Sequence, residues 1–287
     1  MPRIRILPDI LSNKIAAGEV VERPAAVVKE LVENAIDAGG RRIVVEIEAG
    51  GRRLIRVADD GAGMDRDDTL LALERYATSK IVNDTDLFAI RTLGFRGEAL
   101  PSIASVSRLT LVSRSAGRPS GTEVRVDGGR ILNVTETGAP PGTMVTVKDL
   151  FYNTPARRKF LKTVNTEMGH IGDCLASLAL GHPEIDFRLS HNGKTTRRWA
   201  AVSDPVDRVA DVLGRALQDE LFPLALQSDA AQVSGWVASP RVNRSTSRGV
   251  HLLVNGRHVK ARALLHAVMQ GYRQRLMKGQ FPVAVCY

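Results

Sequence analysis

The segment 24–38 constrains the fold more than any other, because it predicts a helix with two very different sides. It begins at a proline, which a first helical turn tolerates, and it ends before a Gly-Gly pair. At about 100° per residue, the side chains of Glu30, Asn34 and Asp37 fall within about 60° of one another, with Glu33 beside them. The other side of the helix is apolar and must pack on a core; it consists of Val28, Leu31, Val32, Ala35 and Ile36.

This acidic stripe has two interpretations. It is either the solvated side of an amphipathic helix, or a surface that faces a cation, such as a metal ion, or a water molecule awaiting deprotonation. A solvated side usually mixes bases with its acids, yet no base lies between Lys29 and Arg41. Like charges at helical spacing repel one another, so we expect a cationic group to lie against the stripe.

Composition excludes several classes of protein. The 287 residues are enough for two domains, and the contents of 44% apolar and 25% charged residues are typical of a globular chain. No apolar run approaches the length of a membrane span, and the first residues lack the apolar core of a signal peptide. Cys174 and Cys286 form neither a metal-ligand spacing nor a disulfide framework. We expect a cytoplasmic protein in a reducing setting, without a membrane partner.

The net charge of +9 is concentrated in the second half of the chain. Residues 1–150 hold 21 basic and 21 acidic residues, whereas residues 151–287 hold 19 and 10, and no acid follows Asp229. This asymmetry favours a polyanion partner such as nucleic acid, although ordinary surface charge that aids solubility is the alternative.

Periodicity predicts an α+β fold with a mixed, mainly antiparallel sheet and helices gathered on one side. Alternating strands at 42–48 and 54–59 flank a glycine turn, further strands lie between 108 and 148, and an Asn-Gly hairpin follows a helix at about 165–180. Short helices are predicted at 67–76, 85–92 and 98–106. A second α+β unit, with a helix at 261–277, begins near 200–230.

Three glycine-rich or hydroxyl-bearing stretches predict a phosphate-binding site. "VADDGAGM" (57–64) ends a strand in two acids and a glycine turn, which fits either close approach to a ligand or an ordinary β-turn. "TLGFRGEAL" (92–100) places two glycines in a turn that leads into a helix, where free N–H groups suit an anion. "ATSK" (77–80) adds hydroxyl donors and a lysine. Neither the P-loop nor the Rossmann glycine pattern occurs.

Together, "ELVENAIDA", "DDGAGM", "GFRGEAL" and the "GT" at 142–143 resemble the motifs of the GHKL ATP-binding superfamily. The longer runs "NKIAAGEVVERPAAVVKELVENAIDAG", "LFYNTPARRKFL" and "VNGRHV" resemble the MutL family of mismatch-repair proteins in particular. The resemblance implies a Bergerat-type two-layer ATP-binding domain at 1–205. It also implies a smaller transducer domain at 206–287, similar to domain 2 of ribosomal protein S5 and C-terminally incomplete.

The resemblance also implies roles for individual residues. Glu30 would be the general base that activates water, Asn34 would be the ligand of Mg²⁺, and Asp59 would bind the adenine amino group of ATP. Gly63 and Met64 would lie against the base. The remaining nucleotide-binding positions are Ala38, Thr78, Ser79, Lys80, Gly94, Phe95, Arg96, Gly97, Glu98, Ala99, Leu100 and Thr143.

Two departures from the family pattern bear on activity. Asp60 replaces the usual asparagine after the adenine-binding aspartate, which adds a negative charge near the nucleotide. The family also supplies a lysine to the γ-phosphate from a His-Pro-x-Lys run that would follow residue 287. Because this cation stabilises the transition state, we expect the present chain to bind ATP and to hydrolyse it slowly.

The function that the resemblance implies is an ATP-driven switch in mismatch repair. ATP would order the lid and pair two N-terminal regions through the arm at 1–23, and this state would regulate DNA binding, a MutS-type protein and a downstream nuclease or helicase. The alternative is a DNA-binding module whose pocket binds ATP without turnover. The run "PARRKF" (155–160) either touches DNA or a phosphate, or caps the following helix.

Overall fold

The computed structural model describes residues 17–18, 20–81, 85, 92–229 and 231–287. They divide into two compact units. The first extends to Leu175 and includes Asp186–Arg198, and the second comprises Ala176–Ile185 and Trp199–Tyr287. The division into an ATP-binding domain at 1–205 and a transducer domain at 206–287 stays a prediction.

Eight strands form the sheet of the first unit. They are β1 (Arg42–Glu48), β2 (Leu54–Asp59), β3 (Arg108–Arg114), β4 (Gly121–Asp127), β5 (Arg130–Thr137), β6 (Gly142–Lys148), β7 (Asp186–His191) and β8 (Lys194–Trp199). Their order is β5-β4-β3-β6-β2-β1-β7-β8. The pairings from β5 to β1 are antiparallel, and β1 runs parallel to β7. The predicted α+β class with a mixed, mainly antiparallel sheet is confirmed.

Within the described ranges, five α-helices from Pro24 onwards belong wholly or partly to this unit. They are α1 (Pro24–Asp37), α2 (Arg66–Leu71), α3 (Ala99–Ser105), α4 (Pro155–Phe160) and α5 (Val164–Gly181), and the division between the units falls within α5.

The apolar side of α1 is the centre of the first core. Val28, Leu31 and Val32 are at most 3% exposed, and they pack where α1 contacts β1, β2 and α3. The facing strands alternate buried and half-exposed residues, as a sheet with one covered side requires. Burial of each such side chain stabilises the fold by about 1.5–3 kcal/mol. Because this packing fixes the position of α1 on the sheet, it also fixes the distance between the acidic stripe and the ends of the strands.

The second unit has its own five-stranded sheet, in the order β13-β12-β15-β10-β9. Its strands are β9 (Leu221–Gln227), β10 (Gln232–Ala238), β12 (Val250–Val254), β13 (Arg257–His258) and β15 (Ala284–Cys286), and β11 (Asn243–Arg244) pairs separately with β14 (Phe281–Pro282). The helices α6 (Pro205–Leu213) and α7 (Arg262–Tyr272) complete it. Leu252 and Leu253 contribute to two different apolar clusters, since successive strand residues point to opposite sides.

A fully buried arginine organises the second unit. The Arg208 guanidinium donates to five backbone carbonyls, those of Ala179, His182, Pro183, Ile185 and Ala200. Hydrogen bonds from a charged group are roughly twice as strong as neutral ones. Arg208 therefore ties α6 to the segment that follows α5.

Several element boundaries differ from the sequence predictions. The helix expected at 261–277 ends at Tyr272, because Arg273 has a positive φ of 37° and starts a 3₁₀ turn. The helix expected at 67–76 covers only Arg66–Leu71, and β9 was not predicted at all. Pro223 interrupts the apparent strand pattern there, but an edge strand tolerates proline. The helix predicted at 85–92 lies outside the described residues, except for 85 and 92.

Within the described ranges, no helix combines the length and apolar character that crossing a bilayer needs.

Candidate functional site

Asp59 lies at the end of β2 with its carboxylate oriented by the backbone. Its Oδ1 accepts hydrogen bonds from Gly61 N at 2.9 Å and from Thr143 N at 3.3 Å. Among the described residues, no donor reaches Oδ2. One oxygen is therefore held by the protein, and the other is free to accept a hydrogen bond from a ligand.

Burial raises the pKa of Asp59 from 3.8 to about 6, and the nearby charge of Asp60 acts in the same direction. The two backbone hydrogen bonds oppose this shift without cancelling it. At neutral pH the carboxylate is therefore ionised but poorly solvated, and a donor brought into the pocket gains more than it would in water.

Two glycines allow the strand ends around Asp59 to approach one another. Gly63 has a φ of +66°, and a Cβ there would lie 2.0 Å from the carbonyl oxygen of Arg114. Gly142 has a φ of +115°, and its Cβ would lie 2.1 Å from the carbonyl oxygen of Asp59. Any larger residue at either position would push these segments apart, so both glycines are required by this close approach of the backbone.

Ser113 joins this group, although none of the sequence motifs includes it. Its hydroxyl accepts from Met64 N at 2.9 Å and lies 2.8 Å from Thr143 Oγ1. The signal that could have found it is its register: Ser113 follows Leu109 and Leu111 at the spacing of a buried strand side, where a hydroxyl needs a partner.

The carboxylate of Asp60 faces the backbone. Its Oδ1 accepts from the amides of Arg41 and Arg42 at 2.7 and 2.8 Å, at the start of β1. The replacement of asparagine by aspartate therefore keeps a structural acceptor here. The negative charge of Asp60 acts on the site by helping to raise the pKa of Asp59.

Two lysines provide the cations that we expected opposite the acidic stripe of α1. Lys29, on the same helix, contacts Glu33 at 2.9 Å and Glu30 at 3.4 Å. Glu33 is only 7% exposed, and burial raises its pKa. Among the described residues, Glu30 forms no shorter ion pair than this one with Lys29, so its carboxylate is less constrained than that of Glu33.

Lys80 supplies the second cation from a distant part of the chain. Its Nζ lies 2.9 Å from Asn34 Oδ1 and 2.6 Å from Asp37 Oδ2. The carboxylate of Asp37 also accepts from Leu93 N at 2.8 Å and from Gly94 N at 3.0 Å. The stretches "ATSK" and "TLGFRGEAL" are thus both attached to one end of α1.

These two stretches also contact each other. Tyr76 N donates to Gly97 O at 3.0 Å, and a Cβ at Gly97 would lie 2.5 Å from the carbonyl oxygen of Ala77. The Glu98 carboxylate pairs with Arg75 at 2.9 Å, at the start of α3. The remaining predicted positions follow this path; Thr78 Oγ1 accepts from Lys80 N, Ser79 is exposed, Arg96 stacks on Phe95, and Ala99 and Leu100 begin α3.

The turn that follows Asp59 forms a corner with the end of α1. Ala62 N donates to Ala38 O at 2.9 Å, and a Cβ at Gly61 would lie 2.7 Å from that oxygen. In the described part of the chain, no cluster of three or more His, Cys, Asp or Glu side chains could hold a metal on its own. Asn34 Oδ1, which already accepts from an ammonium group, is a suitable hard ligand for a cation that brings its other ligands with it.

Comparisons with known proteins decide the family. Residues 22–136 match the profile described as "Histidine kinase-, DNA gyrase B-, and HSP90-like ATPase", and residues 209–287 match "DNA mismatch repair protein, C-terminal domain". The chain is 55% identical over 285 residues to the DNA mismatch repair protein MutL of Geobacter sulfurreducens, and 54% identical to that of Geotalea daltonii. The chain belongs to the MutL family.

Solved structures agree with this assignment. The ATPase domain of Aquifex aeolicus MutL, solved in complex with ADP, superposes with a TM-score of 0.70 at 31% identity, covering 93% of this chain and 92% of that one. The expected GHKL fold of the MutL N-terminal ATPase region is thereby confirmed. The match covers 99% of this chain but 47% and 48% of the two curated relatives, so the chain spans about half their length.

The raised pKa of Asp59 predicts a specific dependence of stability on pH in this MutL-family chain. Between pH 3.8 and about 6 the folded state holds a proton on Asp59 that the unfolded state releases. Asp59 therefore lowers the free energy of unfolding as pH rises through this window. The Asp59→Asn variant keeps an acceptor at Oδ1. Its free energy of unfolding should match that of the parent near pH 4 and exceed it by up to about 3 kcal/mol at pH 7. Urea unfolding followed by circular dichroism measures the difference, and a gap that is constant with pH would contradict the assignment.

Proposed function

We propose that this chain binds ATP together with Mg²⁺ in the pocket between α1, the end of β2 and residues 93–100, and hydrolyses it slowly as part of a mismatch-repair switch. The observation that carries this proposal is the half-buried Asp59 carboxylate, one oxygen of which is held by two amides while the other has no donor in the described structure. The ADP complex of the related Aquifex aeolicus domain supports the same choice of ligand.

Adenine is the base that this corner suits. Its exocyclic amino group is a donor, and Asp59 Oδ2 presents a desolvated acceptor. Gly63 and Met64 supply a close backbone and an apolar side chain for the base. Thr143 and Ala38 belong to the same corner through their backbone hydrogen bonds. A guanine would place its carbonyl oxygen against the carboxylate, and two acceptors repel.

The triphosphate would lie along α1 towards Asn34. Residues 93–100 supply backbone N–H groups, and Lys80, Thr78 and Ser79 supply a cation and two hydroxyls. Mg²⁺, when bound, would neutralise phosphate charge and orient the terminal phosphate, with Asn34 Oδ1 as its protein ligand.

Glu30 is the residue that we assign to proton transfer. It lies one turn before Asn34 on the same side of α1, and its carboxylate lies 3.4 Å from Lys29 Nζ. Glu33 and Asp37 are engaged in shorter ion pairs, so they are less suited to take a proton from water. A positioned general base contributes about 10²–10⁴-fold to the rate.

Exchange of Asp59 for asparagine tests the recognition of the base. Because Oδ1 keeps its two amide partners, the new Nδ2 would take the place of Oδ2 and present a donor to the adenine amino group. We expect ATP affinity to fall at least about tenfold, the effect of one unpaired buried donor. Inosine triphosphate carries an acceptor at that position. The affinity of the variant for this nucleotide should therefore fall less than its affinity for ATP, or should rise. Calorimetric titration of both nucleotides measures this, and an equal loss for both would refute the contact.

Exchange of Glu30 for alanine tests the chemical step. ATP binding should persist, because Glu30 makes no contact in the adenine corner, while phosphate release should fall by about 10²-fold or more. Glu46→Ala, which breaks the surface pair with Arg56 on the sheet, is the matched control and should keep the parent rate. Equal turnover in the Glu30 variant and the parent would contradict the role of Glu30.

The switch itself is the wider part of the proposal. ATP would order the lid to which Thr78, Ser79 and Lys80 belong, and it would promote pairing of two N-terminal regions through the arm at 1–23, most of which lies outside the described residues. The paired state would regulate DNA, a MutS-type protein and a downstream nuclease or helicase in the bacterial cytoplasm. The match to MutL relatives supports these assignments at the level of the family.

A DNA-binding module with an ATP pocket that does not turn over is the second candidate, and the charge of the second unit favours it. Eight basic side chains after residue 240 are exposed, and none of them forms an ion pair within the described structure. They are Arg241, Arg244, Arg248, Lys260, Arg262, Arg273, Arg275 and Lys278. Such an excess of cations suits the phosphate backbone without sequence preference.

Fluorescence titration with duplex DNA separates the two candidates. Affinity should fall steeply between about 50 and 200 mM salt, by about 10-fold or more if several phosphates are contacted. The double variant Arg273→Glu/Arg275→Glu should weaken binding, while Arg125→Glu, on the sheet of the first unit, serves as control. If a non-hydrolysable ATP analogue changes DNA affinity, the switch is favoured; if it does not, the passive module is favoured. Affinity indifferent to salt would exclude phosphate contacts.

A further inference from the structure

A buried serine joins the two segments that surround the Asp59 carboxylate. Ser113 lies near the end of β3 and is 1% exposed. Its Oγ accepts a hydrogen bond from Met64 N at 2.9 Å, in the segment that follows β2. The same oxygen lies 2.8 Å from Thr143 Oγ1 and 3.2 Å from Gly142 O, at the start of β6. One hydroxyl group therefore contacts both segments.

These contacts use the full hydrogen-bonding capacity of the hydroxyl group, which is one donor and two acceptor sites. The amide of Met64 takes one acceptor site. The other two sites are filled if the hydroxyl of Thr143 donates to Ser113 and Ser113 donates to the carbonyl of Gly142. Alanine at position 113 would remove the acceptor of Met64 N and one partner of Thr143.

Thr143 transmits the effect of Ser113 to the proposed ligand site. The two residues are direct neighbours in the β3–β6 pairing, so their side chains lie on the same side of the sheet. The amide of Thr143 donates to Asp59 Oδ1 at 3.3 Å, a longer bond than the 2.9 Å bond from Gly61 N. Such a long bond is easily lost if the donor shifts. Ser113 fixes the position of Thr143 and thereby maintains the second amide contact of Asp59.

We propose that Ser113 is a positioning residue for base recognition, which holds Met64 and Thr143 in place so that the Asp59 carboxylate keeps its orientation towards the amino group of the base. This role rests on the proposed function of the pocket. Ser113 acts through its neighbours and makes no contact with the reacting atoms. Because the proposed proton transfer takes place at Glu30, Ser113 should affect KM for ATP and leave kcat unchanged.

Exchange of Ser113 for alanine tests this role. Affinity for a non-hydrolysable ATP analogue should fall about fivefold, the effect of one net hydrogen bond, as measured by calorimetric titration. Ser113→Thr, which restores the hydroxyl group, should regain the parent affinity. Ser107→Ala is the matched control, since it removes another buried hydroxyl group, bonded to Ile103 O at 2.7 Å. This control should keep the parent affinity.

The pH dependence of binding separates positioning from a loss of stability. The two backbone amides lower the pKa of Asp59 against the effect of burial, which leaves it at about 6. If Ser113→Ala loosens the amide of Thr143, the pKa of Asp59 should rise. Binding requires the ionised carboxylate, so as pH falls it should be lost at a higher pH in Ser113→Ala than in the parent. Ser107→Ala should keep the parent profile.

A double-mutant cycle tests whether Ser113 acts through Thr143. Thr143→Val removes the hydroxyl group that lies 2.8 Å from Ser113 Oγ. The double variant Ser113→Ala/Thr143→Val should lose less affinity than the product of the two single losses, because both changes break the same contact. In Ser107→Ala/Thr143→Val the two effects should multiply. A simple product for the Ser113 pair would overturn the inference.

Circular dichroism spectra that match the parent establish that each variant is folded. If Ser113→Ala does not fold, Ser113→Cys, which retains a weak acceptor, replaces it with the same expected loss. If neither variant folds, Ser113 serves the stability of the core, and the inference is overturned. Parent affinity in folded Ser113→Ala, or an equal loss in Ser107→Ala, also overturns it.

Failure of this inference is distinguishable from failure of the proposed function. Titration of the parent with the ATP analogue in Mg²⁺ tests the function alone. If the parent binds no nucleotide, the proposed function is wrong and Ser113 has no base to position. If the parent binds nucleotide and folded Ser113→Ala binds it equally well with the same pH profile, the pocket stands and only the role of Ser113 is wrong.

Discussion

The packing of α1 against the end of β2 is the constraint on which the rest of the pocket depends. The apolar side of α1 is buried on β1 and β2, and its last turn contacts the segment after Asp59 through the bond from Ala62 N to Ala38 O. A Cβ at Gly40 would lie 3.2 Å from the Cβ of Asp59, so the two segments are in near contact. The distance from Asp59 to the acidic stripe is therefore set by core packing, which is rigid at the scale of a methyl group.

The pocket carries charges that a stable core would avoid. Asp59 is buried enough for its pKa to reach about 6, and Asp37 and Lys80 are paired at 2.6 Å with little access to water. Such groups contribute little to stability and are costly when a partner is lost. Their arrangement is explained if each is kept for a ligand: Asp59 for a donor on a base, and the Asp37–Lys80 pair for a phosphate with its metal. The clustering of these unfavourable charges at the ends of strands and at one end of α1 is typical of a functional site.

Much of this pocket could be predicted from the sequence, because its signals are local. The two sides of α1 follow from helical periodicity, and the glycines at 61, 63 and 142 belong to turns whose backbone leaves no room for a side chain. The pairing of Lys80 with Asp37 could not be predicted, since 43 residues separate them and no periodicity relates the two. The sequence predicts a cation opposite the stripe, and the structure places Lys29 and Lys80 there. The assignment of a Mg²⁺ ion to the same side of α1 stays a prediction. Ser113 and Arg208 were missed for a related reason, because their partners are backbone atoms distant in sequence.

The proposed function requires one site that holds adenine at Asp59 and the metal–phosphate group at Asn34. A crystal structure with Mn²⁺ and a non-hydrolysable ATP analogue tests this requirement directly. We expect an anomalous Mn²⁺ peak at about 2.0–2.3 Å from Asn34 Oδ1, as for a hard cation bound to oxygen. We also expect the adenine amino group to donate to Asp59, and Lys80 to contact a phosphate oxygen instead of Asn34. A metal peak remote from Asn34, or a base placed away from Asp59, would contradict this shared site.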